Sequence, residues 1–175
     1  MKFVFVRHGE TDYNKRKVMT GQYDAPLNEE GREQARLEME KLQNNFDVIF
    51  SSSLSRARET ADIINKKLNL PIIITDLITE RDFGSLVGKT WDEMEKLIPD
   101  ARKVDKEQKY DYRPFGGESA EEVSARLSKF IEETKTGPYK NPLVVCHGGI
   151  IRMLYYRENK EFDHIENATA QEFDL

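Results

Sequence analysis

The chain has 175 residues, of which 34% are charged and 38% are apolar, and its formal net charge at pH 7 is −5. This composition is typical of a soluble globular protein, and no linker rich in Gly, Ser or Pro divides it, so we expect a single domain over residues 1–175. The acidic balance argues against nucleic-acid binding, which favours a basic surface. It does not exclude an anionic ligand, because a local group of arginines can dominate the field inside one cleft.

Cysteine usage and hydropathy indicate a cytoplasmic protein. Cys146 is the only cysteine, so no disulfide can form within the chain, and a single thiol is typical of a reducing compartment. The N-terminal apolar run covers only residues 3–6 before Arg7 interrupts it, which does not fit a secretory signal. No stretch approaches the ~18 apolar residues of a membrane span, so we expect no membrane partner.

Short apolar runs recur along the chain and predict β-strands. The predicted strands cover residues 3–6, 48–50, 71–74 and 143–145, and residues 170–175 are expected to add an edge strand.

Helical patterns lie between these runs. Asn28 is suited to cap a helix over 29–42, in which Ala35, Met39 and Leu42 recur at helical spacing. Further helices are expected over 55–67, over 120–135 after a capping box of Ser119 and Glu122, and over 148–160. Strands that alternate with helices predict an α/β fold with three layers, α/β/α, and a mostly parallel central sheet.

Chemically active residues follow the predicted strands, where ligands of open parallel sheets bind. Arg7 and His8 come directly after the first strand, and Arg56 lies a few residues after the second. Glu80 follows the third strand, and His147 follows the fourth. Each of these histidines precedes a glycine, which lets the backbone approach a ligand closely. We therefore expect these side chains to meet at one edge of the sheet.

Two arginines and two histidines at one edge suit an oxyanion site. A guanidinium presents paired donors that match phosphate oxygens, and a helix that begins near Gly149 points its free amides toward the same edge. An imidazole among cations favours its neutral, nucleophilic form. The pattern favours phosphoryl transfer to a histidine, with arginines neutralising the charge of the transferring group. A hydrogen-bonded structural role is the alternative for either histidine.

Five motifs, in order along the chain, resemble those of the histidine phosphatase superfamily, the phosphoglycerate mutase-like proteins. They are RHGE at 7–10, SSLSRARETA at 52–61, ERDFGSLVGKT at 80–90, GGES at 116–119 and VVCHGGIIR at 144–152. RHG alone is a weak signal, but five ordered motifs are a strong one. The resemblance covers nearly the whole chain and implies a phosphoglycerate mutase-like fold.

The resemblance implies a two-step reaction. His8 would attack the phosphorus of a phosphomonoester and become a phosphohistidine. Arg7, Arg56 and His147 would hold the phosphoryl oxygens. Glu80 would protonate the leaving oxygen and later take a proton from the attacking water.

The resemblance also assigns supporting residues and sets one physical requirement. Further positions of the phosphate and substrate pocket fall on Asn14, Thr20, Gly21 and Gly148. Neither a metal nor another cofactor is implied, because the arginines take the part of a cation. For its acid role, Glu80 would need a pKa raised by burial, so that it carries a proton near neutral pH.

The compact length resembles the small phosphatases of the family, such as the α-ribazole phosphatase and broad-specificity branches, more than its mutases. The mutases carry an adjacent arginine pair in an insertion after the acid loop, the motif that corresponds to residues 80–90 here. Residues 88–116 contain no such pair. A mutase-type phosphotransferase remains the alternative. We interpret residues 95–115, with Tyr110, Tyr112 and Phe115, as a substrate-selecting lid, or alternatively as a solvated charged face. The expected ligand is a small phosphorylated metabolite, bound by a monomer or a homodimer.

Two other functions fit parts of the sequence. Residues 84–90, GSLVGKT, resemble a nucleotide-binding P-loop but have three rather than four residues between the glycines, and Thr90 with Glu93 suits a helix capping box. A module that binds a phosphorylated partner without hydrolysing it is the other alternative, although the chain retains His8 and Glu80.

Three further residues are expected to have structural roles. Cys146 ends an apolar strand and should be buried, and His164 lies in a polar stretch and should be exposed. Asn167 resembles a C-terminal asparagine of the family that supports the site.

Overall fold

Five strands form one sheet in the computed structural model, which describes residues 1–162 and 164–175. They are β1 (Lys2–Arg7), β2 (Val48–Ser52), β3 (Ile72–Thr75), β4 (Pro142–Cys146) and β5 (Ala170–Asp174). Their order across the sheet is β3-β2-β4-β1-β5; β5 is antiparallel to β1, and the other pairings are parallel. The predicted α/β fold with a mostly parallel sheet is confirmed.

Helices of different lengths connect the strands. The α-helices of the described residues are α1 (Asp12–Lys15), α2 (Glu29–Lys41), α3 (Ser55–Leu68), α4 (Trp91–Leu97), α5 (Ala101–Lys106), α6 (Ala120–Thr136) and α7 (Gly148–Arg157). Short 3₁₀ turns cover Asp76–Ile78, Gly84–Leu86 and Arg113–Phe115.

The helices cover both faces of the sheet, because the strands send apolar side chains alternately to each face. On one face, Phe5 belongs to a buried cluster with Leu127 of α6 and Met153 of α7. On the other face, Val6 belongs to a cluster with Ala61 of α3. This arrangement is the three-layer architecture that the alternation of strands and helices predicts.

Side-chain caps set the beginnings of two of the predicted helices. The Asn28 side chain accepts the N–H of Gly31 at 2.8 Å, which begins α2. Ser119 and Glu122 form a reciprocal capping box that begins α6. These caps satisfy backbone N–H groups that have no partner within the helix.

Residues 84–90 do not form a phosphate-binding loop between a strand and a long helix. A 3₁₀ turn covers Gly84–Leu86, and Thr90 forms a reciprocal capping box with Glu93 at the start of the short helix α4. The capping interpretation of Thr90 and Glu93 is therefore confirmed.

The interpretation of residues 95–115 as a substrate-selecting lid is wrong. Tyr110 and Tyr112 are each only 1% exposed, and their rings stack with centroids 5.0 Å apart. None of these residues, all of which the structure describes, lines the cavity at the carboxyl ends of the strands. The tyrosines are buried because they pack with Phe83 and Arg81, residues that lie far away in sequence.

Within 1–162 and 164–175, no helix has the length and apolar character needed to cross a bilayer.

Candidate active site

The predicted site residues meet at the carboxyl ends of the parallel strands, around a cavity of about 520 Å³. Eight of them line this cavity: Arg7, His8, Asn14, Thr20, Gly21, Arg56, Glu80 and Gly148. The ninth, His147, is fully buried, and its ring centroid lies 5.1 Å from that of His8. The sheet brings them together because β1, β2 and β4 are parallel neighbours that end at the same edge.

The His8 ring is held in one tautomer by the backbone. Its Nδ1 lies 2.7 Å from the carbonyl oxygen of Gly9. Because a carbonyl oxygen can only accept, Nδ1 must carry the proton, and Nε2 keeps its lone pair. The Nε–H of Arg56 donates to that Nε2 at 3.2 Å. Burial, together with the charge of Arg56, lowers the pKa of His8 well below its ordinary value, so the ring is neutral at physiological pH.

Arg56 lies in the first turn of α3, and backbone carbonyls hold its guanidinium beside His8. Its Nη2 donates to the carbonyl oxygen of Gly21 at 2.6 Å, and its Nη1 donates to that of Tyr23 at 2.8 Å. Gly21 presents this carbonyl from a left-handed backbone conformation with φ of +53°, which favours glycine. Burial lowers the pKa of Arg56 to about 10, which still leaves it charged at neutral pH.

Arg7 supplies a second guanidinium at the end of β1. Its Nη1 donates to the carbonyl oxygen of Ile165, while its buried Nε has no hydrogen-bond partner among the described residues. Burial and the neighbouring Arg152 lower the pKa of Arg7 to about 10. The unpartnered Nε is a donor that an anionic ligand can satisfy.

His147 lies beneath the cavity and is oriented by Ser52. Its Nε2 is 2.8 Å from Ser52 Oγ, which also accepts the N–H of Leu54 at 3.3 Å. Its Nδ1 is buried and has no partner in the part of the chain that the structure describes. Burial and the charge of Arg56 lower its pKa well below the ordinary value, so this ring is also neutral.

Glu80 reaches the first turn of α7. Its Oε2 accepts the N–H of Gly149 at 3.0 Å, and its Oε1 accepts the N–H of Arg81 at 2.9 Å. The helix begins at Gly148, so the carboxylate lies at the positive end of the helix dipole.

The expectation that burial raises the pKa of Glu80 is wrong for the unliganded protein. Burial alone would raise this pKa, but the charges of Arg81 and Arg152 and the two backbone N–H groups outweigh it and lower the pKa. The carboxyl group is therefore ionised at neutral pH when the cavity holds no anion.

The GGES motif supports the loop that carries Glu80. Glu118 of this motif accepts the N–H of Asp82 at 2.8 Å and the Nε–H of Arg126 at 2.9 Å. Arg126 and Gln22 both donate to the carbonyl oxygen of Glu80. The backbone at Glu80 is thus held by side chains from two distant parts of the chain.

Asn14 and Asn167 border the His8 side of the cavity. The Asn14 side-chain oxygen accepts the N–H of Thr11 at 3.0 Å, so its amide N–H groups remain the end that can donate to a ligand. Asn167 Nδ2 donates to the carbonyl oxygen of His8 at 3.0 Å, in line with the expected supporting role.

The structural expectations for the other two residues are confirmed. Cys146 is fully buried, and burial raises the pKa of its thiol. The His164 side chain is 66% exposed.

Sequence reasoning missed two arginines of the cavity, Arg81 and Arg152. Arg152 lies one helical turn after Gly148, so helical periodicity was a usable signal for it. Arg81 is adjacent to Glu80, but its complete burial depends on packing that no local pattern shows. The outer wall also includes Trp91 and Phe162, which carry no sequence signal for this position.

The charges that line the cavity suit an anion. Its cationic side chains are Arg7, Lys17, Arg56, Arg81 and Arg152, and its carboxylates are Glu10, Glu80 and Glu166. The cations outnumber the carboxylates in the lining, and guanidinium groups suit phosphate oxygens.

An α/β sheet that places a neutral histidine among arginines at its strand ends defines a class of phosphate-handling proteins. The model of the histidine phosphatase superfamily (branch 1) matches residues 3–171. The chain therefore belongs to the histidine phosphatase superfamily.

Relatives include both phosphatases and mutases. A probable phosphatase of Schizosaccharomyces pombe is 40% identical over 169 residues, which cover 93% of this chain and 76% of that protein. A 2,3-bisphosphoglycerate-dependent phosphoglycerate mutase of Nitrobacter winogradskyi is 34% identical over 160 residues, or 86% of this chain and 77% of that one.

A solved structure of mycobacterial glucosyl-3-phosphoglycerate phosphatase has a TM-score of 0.85 and 28% identity, and the match covers 98% of this chain and 90% of that one. Together with the phosphatase relative, this likeness supports a phosphatase.

Proposed function

We propose that the protein is a metal-independent phosphatase that hydrolyses a small phosphomonoester through a phosphohistidine at His8. The observation that carries this proposal is the His8 ring, whose Nδ1 faces the Gly9 carbonyl while Nε2 faces the Arg56 guanidinium at 3.2 Å. A phosphoryl group held by Arg56 would replace that hydrogen bond. Its phosphorus would then lie next to the only lone pair of the ring.

In the first step, Nε2 of His8 attacks phosphorus and the ester P–O bond breaks. Arg7 and Arg56 neutralise the equatorial oxygens, and the N–H groups at the start of α7 add donors. The buried Nδ1 of His147, which has no partner among the described residues, would donate to a phosphoryl oxygen. Glu80 gives a proton to the leaving oxygen, and the alcohol departs.

In the second step, water attacks the phosphohistidine and the N–P bond breaks. Glu80, now a carboxylate, accepts the proton of the attacking water. Inorganic phosphate leaves, and His8 returns to its neutral form with the same tautomer.

The low pKa of Glu80 in the free protein constrains how the first proton arrives. A bound phosphate dianion disfavours a nearby carboxylate and raises its pKa. A substrate that binds as the monoanion brings the proton with it, which Glu80 can take up and pass to the leaving oxygen. Both routes deliver one proton to the site for each turnover.

A mutase-type phosphotransferase is the second candidate, and the mutase relative favours it. The two functions differ in what accepts the phosphoryl group. A panel of α-ribazole phosphate, 3-phosphoglycerate and sugar phosphates, with release of inorganic phosphate as readout, separates them. Isomerisation of phosphoglycerate without phosphate release would favour the mutase.

The His8→Ala variant tests the nucleophile. We expect it to abolish turnover of p-nitrophenyl phosphate, because the covalent intermediate cannot form. An alkaline quench followed by mass spectrometry should detect a phosphoryl group on the peptide that contains His8 in the wild type. Turnover that survives in the variant would refute the mechanism.

Wild-type activity in EDTA tests metal independence. We expect turnover to persist, because the proposed steps use arginines rather than a cation. Loss of activity that Mg²⁺ restores would contradict this part of the proposal.

A further inference from the structure

Arg81 is adjacent to Glu80, but its side chain points into the protein interior. It is 1% exposed, and its Cζ lies 4.9 Å from the ring centroid of Phe83 and 4.7 Å from that of Tyr110. Its Nη1 contacts the carboxylate of Asp105, which is itself buried. Two aromatic faces and one carboxylate therefore fix this guanidinium in place.

Asp105 serves two arginines at once. Its Oδ1 contacts Arg81, and its Oδ2 lies 3.7 Å from Nη1 of Arg152. The three residues come from three elements: Asp105 from α5, Arg152 from α7, and Arg81 from the loop that carries Glu80. Both arginines line the cavity, whereas Asp105 does not.

Both arginines act on the Glu80 carboxyl group. After burial, which opposes them, they are the strongest influences on the pKa of Glu80, and both lower it. The Asp105 carboxylate has the opposite charge and offsets part of their field. Its removal would expose Glu80 to the full charge of both guanidinium groups.

We propose that Asp105 is a positioning residue for proton transfer by Glu80: it fixes Arg81 and Arg152 beside Glu80 and offsets their charge. This role rests on the phosphatase function proposed above, in which Glu80 delivers the proton to the leaving oxygen. Helix α5 thus acts on the chemistry without touching the substrate.

Other charged and titratable groups also face Glu80, and the substitutions tested below leave all of them unchanged. They are Arg7 from β1, Arg56 from α3, Arg126 from α6, Cys146 from β4 and Tyr110, which follows α5. None of them contacts both arginines as Asp105 does among the described ion pairs.

The charges predict opposite effects for two substitutions. Asp105→Asn keeps the shape and removes an anion, so the pKa of Glu80 should fall by at least about 0.5 unit. Arg152→Gln removes a cation beside Glu80, so the same pKa should rise. The double variant should return close to the wild-type value, because the two changes cancel.

The measurement has one arm that is independent of turnover. Carbon-13 NMR of the Glu80 carboxyl group, assigned with Glu80→Gln, gives its titration in each variant. The second arm is the pH profile of kcat/KM for an alkyl phosphate and for p-nitrophenyl phosphate. For the alkyl ester, we expect the high-pH limb of the profile to shift to lower pH in Asp105→Asn and to higher pH in Arg152→Gln.

Asp92→Asn is the matched control. Asp92 of α4 pairs with an arginine of α5, Arg102, but the Asp92 side chain is 84% exposed, so we expect no shift in the pKa of Glu80. Circular dichroism and thermal melting establish that each variant is folded. If Asp105→Asn alone does not fold, the double variant compared with Arg152→Gln alone still measures the effect of removing Asp105: the pKa of Glu80 should be lower in the double variant, and equal values would overturn the role of Asp105.

The outcomes separate this proposal from the function on which it rests. Equal Glu80 titrations in wild type and Asp105→Asn, or shifts of the same sign in both variants, would overturn the role of Asp105. No turnover of either ester by the wild type would refute the phosphatase function, even if the NMR titrations move as expected.

Discussion

At the level of single residues, Gly149 leaves the space in which the Glu80 carboxylate lies. The Glu80 carboxylate accepts the Gly149 N–H at 3.0 Å, and a Cβ at position 149 would lie 2.1 Å from Glu80 Oε1. No side chain fits in this space unless Glu80 moves. Glycine at this position therefore allows the Glu80 carboxylate to approach the start of α7 closely.

Gly149→Ala is expected to displace the Glu80 carboxyl group and weaken the acid step. Hydrolysis of an alkyl phosphate should fall by about 10²–10⁴-fold, the usual contribution of general acid catalysis. Hydrolysis of p-nitrophenyl phosphate should fall much less, because p-nitrophenolate leaves without a proton. Kinetics with both esters check this, and Glu80→Gln should give the same pattern. An equal loss for both esters would refute the link between Gly149 and the acid.

The sequence predicted which residues meet at the cavity more reliably than it predicted their protonation states. His8 and Arg56 could be predicted because strand ends and glycines mark them. The tautomer of His8 could not, since it depends on the 2.7 Å approach of the Gly9 carbonyl. The pKa of Glu80 was predicted with the wrong sign because Arg81 and Arg152, which lower it, were not recognised as neighbours.

At the level of elements, the N-terminal cap of α6 stabilises the helix and lies next to the residue that holds the loop carrying Glu80. Ser119 Oγ accepts the N–H of Glu122 at 3.3 Å, and the Glu122 carboxylate accepts the N–H of Ser119 at 2.8 Å. Ser119 is 1% exposed and directly follows Glu118, which holds the acid loop. The cap therefore fixes both the helix start and its connection to that loop.

Ser119→Ala should lower the free energy of unfolding by about 1 kcal/mol, because it removes one half of the capping box. Urea denaturation followed by circular dichroism measures this, with an unchanged m-value expected. Ser128→Ala is the control on the same helix, since its hydroxyl is exposed and donates to the Ser124 carbonyl within the helix. We expect it to change stability by less than about 0.5 kcal/mol. Equal effects of the two substitutions would contradict a specific cap.

The long elements could be predicted from sequence, and the short ones could not. Helix α6 combines periodic apolar residues with a capping box, both of which are local signals. Helix α5 has six residues and is anchored by the contact between Asp105 and Arg81. That contact joins residues far apart in the chain, so no local pattern could predict the buried ion pair within the segment interpreted as a lid.

At the level of the whole molecule, the two site histidines make stability depend on pH. His8 and His147 are buried and neutral, and burial lowers the pKa of both well below the ordinary value of 6.5. In the unfolded chain these histidines take up protons below about pH 6.5. Over that range the unfolded state binds more protons than the folded state, so stability must fall as pH falls.

The free energy of unfolding should therefore decrease below pH 6.5, by up to about 1.4 kcal/mol per pH unit for each histidine. Urea denaturation between pH 7.5 and 5, a range set by these two shifts, measures the slope. His8→Gln should reduce the slope, because one of the two buried groups no longer titrates. His164→Gln is the control, since its side chain is 66% exposed. If His8→Gln leaves this slope unchanged, the pKa of His8 is not lowered in the folded protein. The claim that burial and Arg56 keep the nucleophile neutral would then be refuted.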